Sequence, residues 1–389
     1  MDIFSDEMRR NPYALYDQIR AKSPVLHIPP PFNAWLVFNY DGVKQVLSDP
    51  ETFSSAVPAP RNWFLFSDPP SHTKQRALIS RAFIPRIVTN LEPRIKQFSR
   101  ELLDFVIERG EMDLATDYAV PLPMKVIASM IGIPLSDWGT FRKWSDSILQ
   151  ISLARSGDEE KQRVHAEFAS TTAEMSRYLA EMVAERRTSP KDDLLTRLIE
   201  AEIDGERLSH EELLGFFQLL VVGGQETTAN LINNAILCLI EHPDQMALLR
   251  MRRELLPSAI EEVLRYRSPL AWLMRTPTRD VEIRGQAIPA RALVLTMIGS
   301  ANRDPLHFPD AGRFNIERNP NPHIAFGYGS HFCLGAALAR VEAKIALTDL
   351  LDRLSEITLA SDVAWKPRQA LHVYGPASLP IAFKAVELA

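Results

Sequence analysis

Apolar residues along this chain recur mainly at helical spacing, with a few short β-like runs between them. The longest helical pattern is LLVVGGQETTANLINNAILCLI, Leu219–Ile240. Upstream, Ser209 and Glu212 have the spacing of a capping box. Together they predict one helix from Ser209 to about Ile240, about 45 Å long at 1.5 Å per residue. That is long enough to cross the whole protein. The pattern CLGAALARVEAKIALTDLLDRL predicts an amphipathic helix beginning at Cys333. Ser258 with Glu261, just after Pro257, predicts another that ends before Pro269. From Lys74 to about Gly205 most windows are helical, with breaks at Pro121, Pro134 and Pro190. YDGVKQVLSDP predicts a short helix stopped by Pro50. Strands are few and short: AWLVFNY from Ala34, VEIRG from Val281, LVLTMIG from Leu293 and ALHVYG from Ala370. The expected class is mainly α with minor β, without an internal repeat.

Composition narrows the function classes. A net charge of -5 over 389 residues argues against a nucleic-acid binder. The only two cysteines, Cys238 and Cys333, form no CxxC pair, which disfavours a disulfide framework or structural zinc. No run of about 18 uncharged apolar residues predicts a membrane span. The first residues, MDIFSDEMRRNPY, lack an apolar signal region. A cytoplasmic location is the expectation.

Two stretches carry candidate chemistry. In the long helix Gly223 and Gly224 are adjacent, and each costs about 1 kcal/mol against alanine. Glu226 and Thr227 follow at once. A threonine hydroxyl bonding back to a carbonyl helps open a helix locally. A widened turn there would admit a water or small ligand, to which an acid beside an alcohol passes protons. A solvent-facing break in a core helix is the competing reading. Cys238 reads as a packed core thiol.

The second stretch is AFGYGSHFCLG, Ala325–Gly335. Gly327, Gly329 and Gly335 allow unusual backbone angles and leave room for a flat partner. Phe326 and Phe332 would shield the sulfur, and helix N-terminal amides favour a thiolate. A lone thiolate facing a broad apolar surface suits haem iron. A buried inert thiol and a cysteine nucleophile served by His331 remain alternatives. A phosphate loop does not, because the GK[ST] ending is missing.

FGYGSHFCLG, EEVLRY with Glu262 and Arg265, and GGQETT occur in the order found in the cytochromes P450. On these motifs the chain resembles that family from about Asn11 to Leu379. The resemblance implies a triangular, helix-rich single domain over residues 1–389 with small β-sheets. Its β-containing N-terminal region would span about 25–70 and its cysteine loop 326–335. It implies haem b with Cys333 as the axial ligand, lined by Gly224, Phe326 and Gly335. His72 and Arg76 of DPPSHTKQR, with Arg275 and His331, would hold the propionates. Glu226 and Thr227 would manage protons. Arg313 would complete a structural network with Glu262 and Arg265. Two departures stand out: Gly223 replaces the usual alanine, and Ala311 and Gly312 precede Arg313 where proline and an acid are common.

The implied activity is O2-dependent hydroxylation or epoxidation of a hydrophobic small molecule. Terpenoid, fatty-acid, steroid and macrolide substrates all remain open. Pocket walls are expected in the loop Ser54 to Ser67 with Trp63, Phe64 and Phe66, at Leu220 and Gly223, at Leu270, Leu273 and Met274, and around 371–379. Electrons would come from NAD(P)H through a reductase and a ferredoxin or flavodoxin, with Arg340 and Lys344 on the docking face of a monomeric protein. A peroxide-driven peroxygenase, an oxidative coupling enzyme and a non-catalytic haem sensor are the alternatives.

Overall fold

Helices dominate the computed structural model, which describes residues 5–30, 32–56, 63–151, 158–360, 364–368 and 370–386. Part of the expected pocket loop, Ser54 to Ser67, lies outside these. The chain sorts into two units. The first comprises residues 1–57, 99–120 and 227–389; the second comprises 58–98 and 121–226. The helix His210–Glu241 belongs to both.

The first unit holds the sheets. Its largest has five strands in the order Val25–Ile28, Ala34–Val37, Leu293–Thr296, Leu273–Pro277 and Phe53–Ser54. The pair Ala34–Val37 and Leu293–Thr296 is parallel, and the others are antiparallel. The expected strand from Ala34 is shorter than its apolar run, because Tyr40 already starts the helix Tyr40–Ser48. Val37, Val43, Phe53, Val294, Ile298 and Phe308 pack in the core beneath this sheet. ALHVYG forms no strand, only a bridge from Val373 to Leu270.

The second unit is helical, around buried Leu78, Ile79, Ile127, Phe141, Met175 and Phe216. Its helices include Ser71–Ala82, Pro121–Ile131, Trp138–Ile151 and Asp158–Thr188.

The central helix starts as its cap predicts. Ser209 N donates to Glu212 Oε2 at 2.8 Å, and Glu212 N donates to Ser209 Oγ at 3.1 Å. The expected widened turn is absent: α-helix continues unbroken from His210 to Glu241. The Ser258–Glu261 cap does not form either. Its helix starts at Leu256, and Ser258 Oγ donates to the carbonyls of Leu255 and Ile316. The last long helix starts at Ala336, three residues after the thiol, with Gly335 as its cap residue.

Candidate functional site

The thiol loop is shaped by its backbone. Gly327 and Gly329 both have φ of +74°, a left-handed conformation that favours glycine. A Cβ on Gly329 would stand 2.6 Å from the carbonyl oxygen of Leu47, so the loop lies tightly on helix Tyr40–Ser48. Cys333 N donates to Phe326 O at 2.9 Å and closes the loop. Gly335 has an ordinary φ of -82°, which corrects the expectation of an unusual angle there. Its missing side chain instead leaves space 4.0 Å from Cys333 Sγ. The thiol is exposed, and the rings of Phe326 and Phe332 lie 6.2 Å apart, centre to centre. Cys238 differs in every respect: it is buried, and burial pushes its thiol up to about 12.

A buried ion pair braces the neighbouring chain. Arg265 and Glu262 are both fully buried and join through two 2.8 Å hydrogen bonds. Arg265 also donates to the carbonyls of Asn302, Ala311 and Arg313. The expected third member is corrected. Arg313 offers only its carbonyl and is exposed, whereas Arg318 Nε reaches Glu262 at 3.1 Å. Arg318 also donates to Pro309 O at 2.7 Å, so both cations sit among fixed acceptors. Asn302, missed in the sequence reading, links this brace to the loop by accepting from Ile324 N at 2.8 Å.

Glu261, one residue before the braced acid, holds the loop from the other side. Arg340 donates to it through two bonds of 2.7 and 2.8 Å, with its guanidinium 4.5 Å from the Phe326 ring centre. His323 Nε2 lies 3.0 Å from the same carboxylate, and Ala325 N donates to His323 Nδ1. Burial alone would raise the Glu261 carboxyl, but the hydrogen bonds from Arg340 and His323 outweigh it and hold it at about 2. Arg340 is therefore partly neutralised, which weakens its case as a free docking cation.

Four basic residues were expected to meet carboxylates. His72 is buried on helix Ser71–Ala82 and stacks with Phe64; Arg76 follows one turn later, half-buried. In the first unit Arg275 is buried on strand Leu273–Pro277, opposite Val294, and donates to Met274 O. His331 Nε2 lies 3.1 Å from Ser55 Oγ.

On the central helix, Leu219, Gly223 and Thr227 form a partly exposed line at i, i+4 and i+8. Gln225, Glu226 and Thr228 are buried, and Gln225 is hydrogen-bonded to Ser145. The two glycines have different surroundings. A Cβ on Gly224 would stand 2.6 Å from Ile127 Cδ1, whereas one on Gly223 would meet only Leu219 Cδ1 at 4.0 Å. Gly224 thus answers helix packing, and Gly223 leaves an open face. Trp63 and Phe64 are buried, Trp63 donating to Gln218 Oε1 at 3.0 Å, while Phe66 is half-buried. Leu220, Leu270, Leu273 and Met274 are also half-buried. Leu273 Cδ1 reaches within 3.7 Å of where a Gly327 side chain would begin.

These residues fit the haem that the resemblance implies. The loop offers one exposed sulfur, and a helix line offers an apolar strip with one hydroxyl. Among the described residues no group of three or more His, Cys, Asp or Glu could hold a metal ion by itself. A porphyrin supplies four nitrogen donors, so one protein ligand is sufficient.

Residues 144–371 match the family model described as Cytochrome P450. The chain is 40% identical over 381 residues to cytochrome P450 109 of Bacillus spizizenii, covering 98% of this chain and 94% of that one. It is 38% identical to 6-deoxyerythronolide B hydroxylase of Saccharopolyspora erythraea, covering 98% of each. The fold is similar to substrate-free CYP109E1 of Bacillus megaterium, with TM-score 0.92, 39% identity and coverage of 97% and 100%. A structure of that protein in complex with corticosterone gives a TM-score of 0.89.

Proposed function

The chain belongs to the cytochrome P450 family of haem monooxygenases, and from that premise we propose that Cys333 would hold the haem iron through its thiolate. The exposed sulfur on a loop fixed by two left-handed glycines is the observation that carries this reading. When bound, haem supplies oxygen activation and insertion of one oxygen atom into a C–H or C=C bond. The chain's own groups do the rest. Glu262, Arg265 and Arg318 hold the segment that leads into the loop. His72, Arg76, Arg275 and His331 pair with the propionates. Gly223 keeps the helix face open, Thr227 would offer a hydroxyl to bound oxygen, and Glu226 would hold and pass protons to that hydroxyl.

The substrate is a hydrophobic small molecule of steroid or macrolide size. The half-buried side chains Leu220, Leu270, Leu273 and Met274 support this, as does the corticosterone seen with a relative. Electrons reach the protein from NAD(P)H through a reductase and a small ferredoxin or flavodoxin. With Arg340 tied to Glu261, exposed Lys344 on helix Ala336–Arg353 is the remaining candidate for the docking face.

The reduced, carbon monoxide-bound spectrum tests the ligand. A long-wavelength Soret band that disappears in Cys333→His supports it; an unchanged band in that variant overturns it. Titration with corticosterone, a fatty acid and a macrolide then tests the substrate class. A shift of the Soret band is the expected result, and no shift with any of the three sinks that assignment.

A further inference from the structure

Asn230, Asn233 and Asn234 are all 0% exposed on the central helix. Their hydrogen-bonding capacity is only partly used. Asn234 Nδ2 donates to the carbonyls of Arg267 and Tyr374 at 3.1 and 3.0 Å, but its Oδ1 has no partner. Asn230 Oδ1 accepts from Arg368 Nε at 3.3 Å, but its Nδ2 has no partner. Asn233 has no partner at either atom. An unsatisfied buried polar atom costs about 1–3 kcal/mol, so apolar residues would be more stable unless something fills these valences. Internal water is the usual occupant of such sites.

The positions have a direction. At about 100° per residue, Glu226, Asn230, Asn233, Asn234 and Glu241 fall within about 100° of arc on one helix face. Glu226 is buried at one end, and Glu241 lies about 22 Å away at the other. The Glu241 side chain is 37% exposed. Buried Leu237 interrupts this polar face. Arg267 spans the interruption: its carbonyl accepts from Asn234, and its Nη2 donates to both oxygens of Glu241. Arg267 Nε and Nη1 are buried and also lack partners. A fastening role explains the bonds to Arg368, Arg267 and Tyr374. It leaves Asn233 unexplained, along with the gathering of unused atoms on one face.

We propose that this face holds a file of internal waters that carries protons from solvent at Glu241 and Arg267 to the Glu226–Thr227 pair. The inference rests on the proton role proposed above for that pair. The amides stay neutral and only orient the waters. A proton entering at the outer end displaces one at the inner end, and no electron moves.

Asn233→Leu tests it, with corticosterone as the probe and a surrogate ferredoxin and reductase supplying electrons. The variant should fold, with an unchanged or higher Tm and an unchanged carbon monoxide spectrum. Its turnover ratio in H2O against D2O should rise at least about twofold over the native protein, and more reductant should end as peroxide. A high-resolution crystal structure of the native protein should hold ordered water on Asn233, absent in the variant. Asn233→Ser, which keeps a water-binding group, should stay near native values. No water at Asn233, or native isotope ratio and peroxide yield in Asn233→Leu, overturns the file. Where that variant does not fold, the crystallographic waters of the native protein decide. Glu226→Gln is measured beside it: a change there without one in Asn233→Leu removes the file and leaves the pair. No change in either removes both.

Discussion

The thiol loop and the Trp63–Ser67 segment are held by different physics. The loop rests on directional bonds: Cys333 N to Phe326 O, Ile324 N to Asn302, and the carboxylates of Glu261 and Glu262 on either side of one helix turn. The segment at Trp63 rests mainly on stacked rings, Trp63 on Phe66 and Phe64 on His72, with one hydrogen bond to Gln218. Directional bonds fix an atom to a fraction of an ångström. Ring packing tolerates repacking at little cost. Under the function proposed above, the first kind of support suits a sulfur kept in one place, and the second suits an apolar wall that can adjust.

Breaking the loop side should have the larger effects. Cys333→Ser removes the sulfur itself, and complete loss of the long-wavelength Soret band and of turnover is expected. Arg265→Met leaves Glu262 buried with only part of its compensation. A loss of about 3–5 kcal/mol is expected, read by denaturant titration. A loss below 1 kcal/mol would mean that Arg318, Asn315 N and Asn321 together satisfy the carboxylate.

The two helix glycines sharpen the contrast. Gly224→Ala must displace Ile127 and should cost about 1–3 kcal/mol. Gly223→Ala meets no close neighbour and should stabilise by up to about 1 kcal/mol. Equal effects in thermal unfolding would erase the distinction drawn between them.

Glu261 gives a pH test. Its folded-state carboxyl titrates at about 2, below the ordinary 4.5. Its contribution is therefore present above about pH 4.5 and is lost as pH falls toward 2. With partial exposure discounted, about 1–2 kcal/mol is at stake. Glu261→Gln should flatten that part of the stability curve, and an unchanged acid limb would remove the ion pair from the account. The smallest effect belongs to Arg313→Ala, expected within about 0.5 kcal/mol because its bonds run through the backbone, which alanine keeps. Arg318→Ala should exceed it clearly.

Much of the frame was legible because its signals are local. A capping box needs only Ser209 and Glu212, and a helical apolar period needs only its own residues. The thiol loop was legible for the same reason, since left-handed turns favour glycine. Arg313 and Arg318 were not separable that way. Both lie near the right place in the chain, and the choice depends on which side chain turns inward. The orphaned asparagines were invisible too, because NLINN reads as an ordinary polar interruption until its burial is known.

By itself, then, the sequence determined the helices, the shaped loop around Cys333 and the family, each written in short-range spacing that backbone geometry enforces. Only the tertiary structure decided that Arg318 completes the brace, that Gly224 serves packing while Gly223 stays open, and that three asparagines share one buried face. Those outcomes depend on which distant groups come within hydrogen-bond reach or contact distance, and no local pattern encodes that.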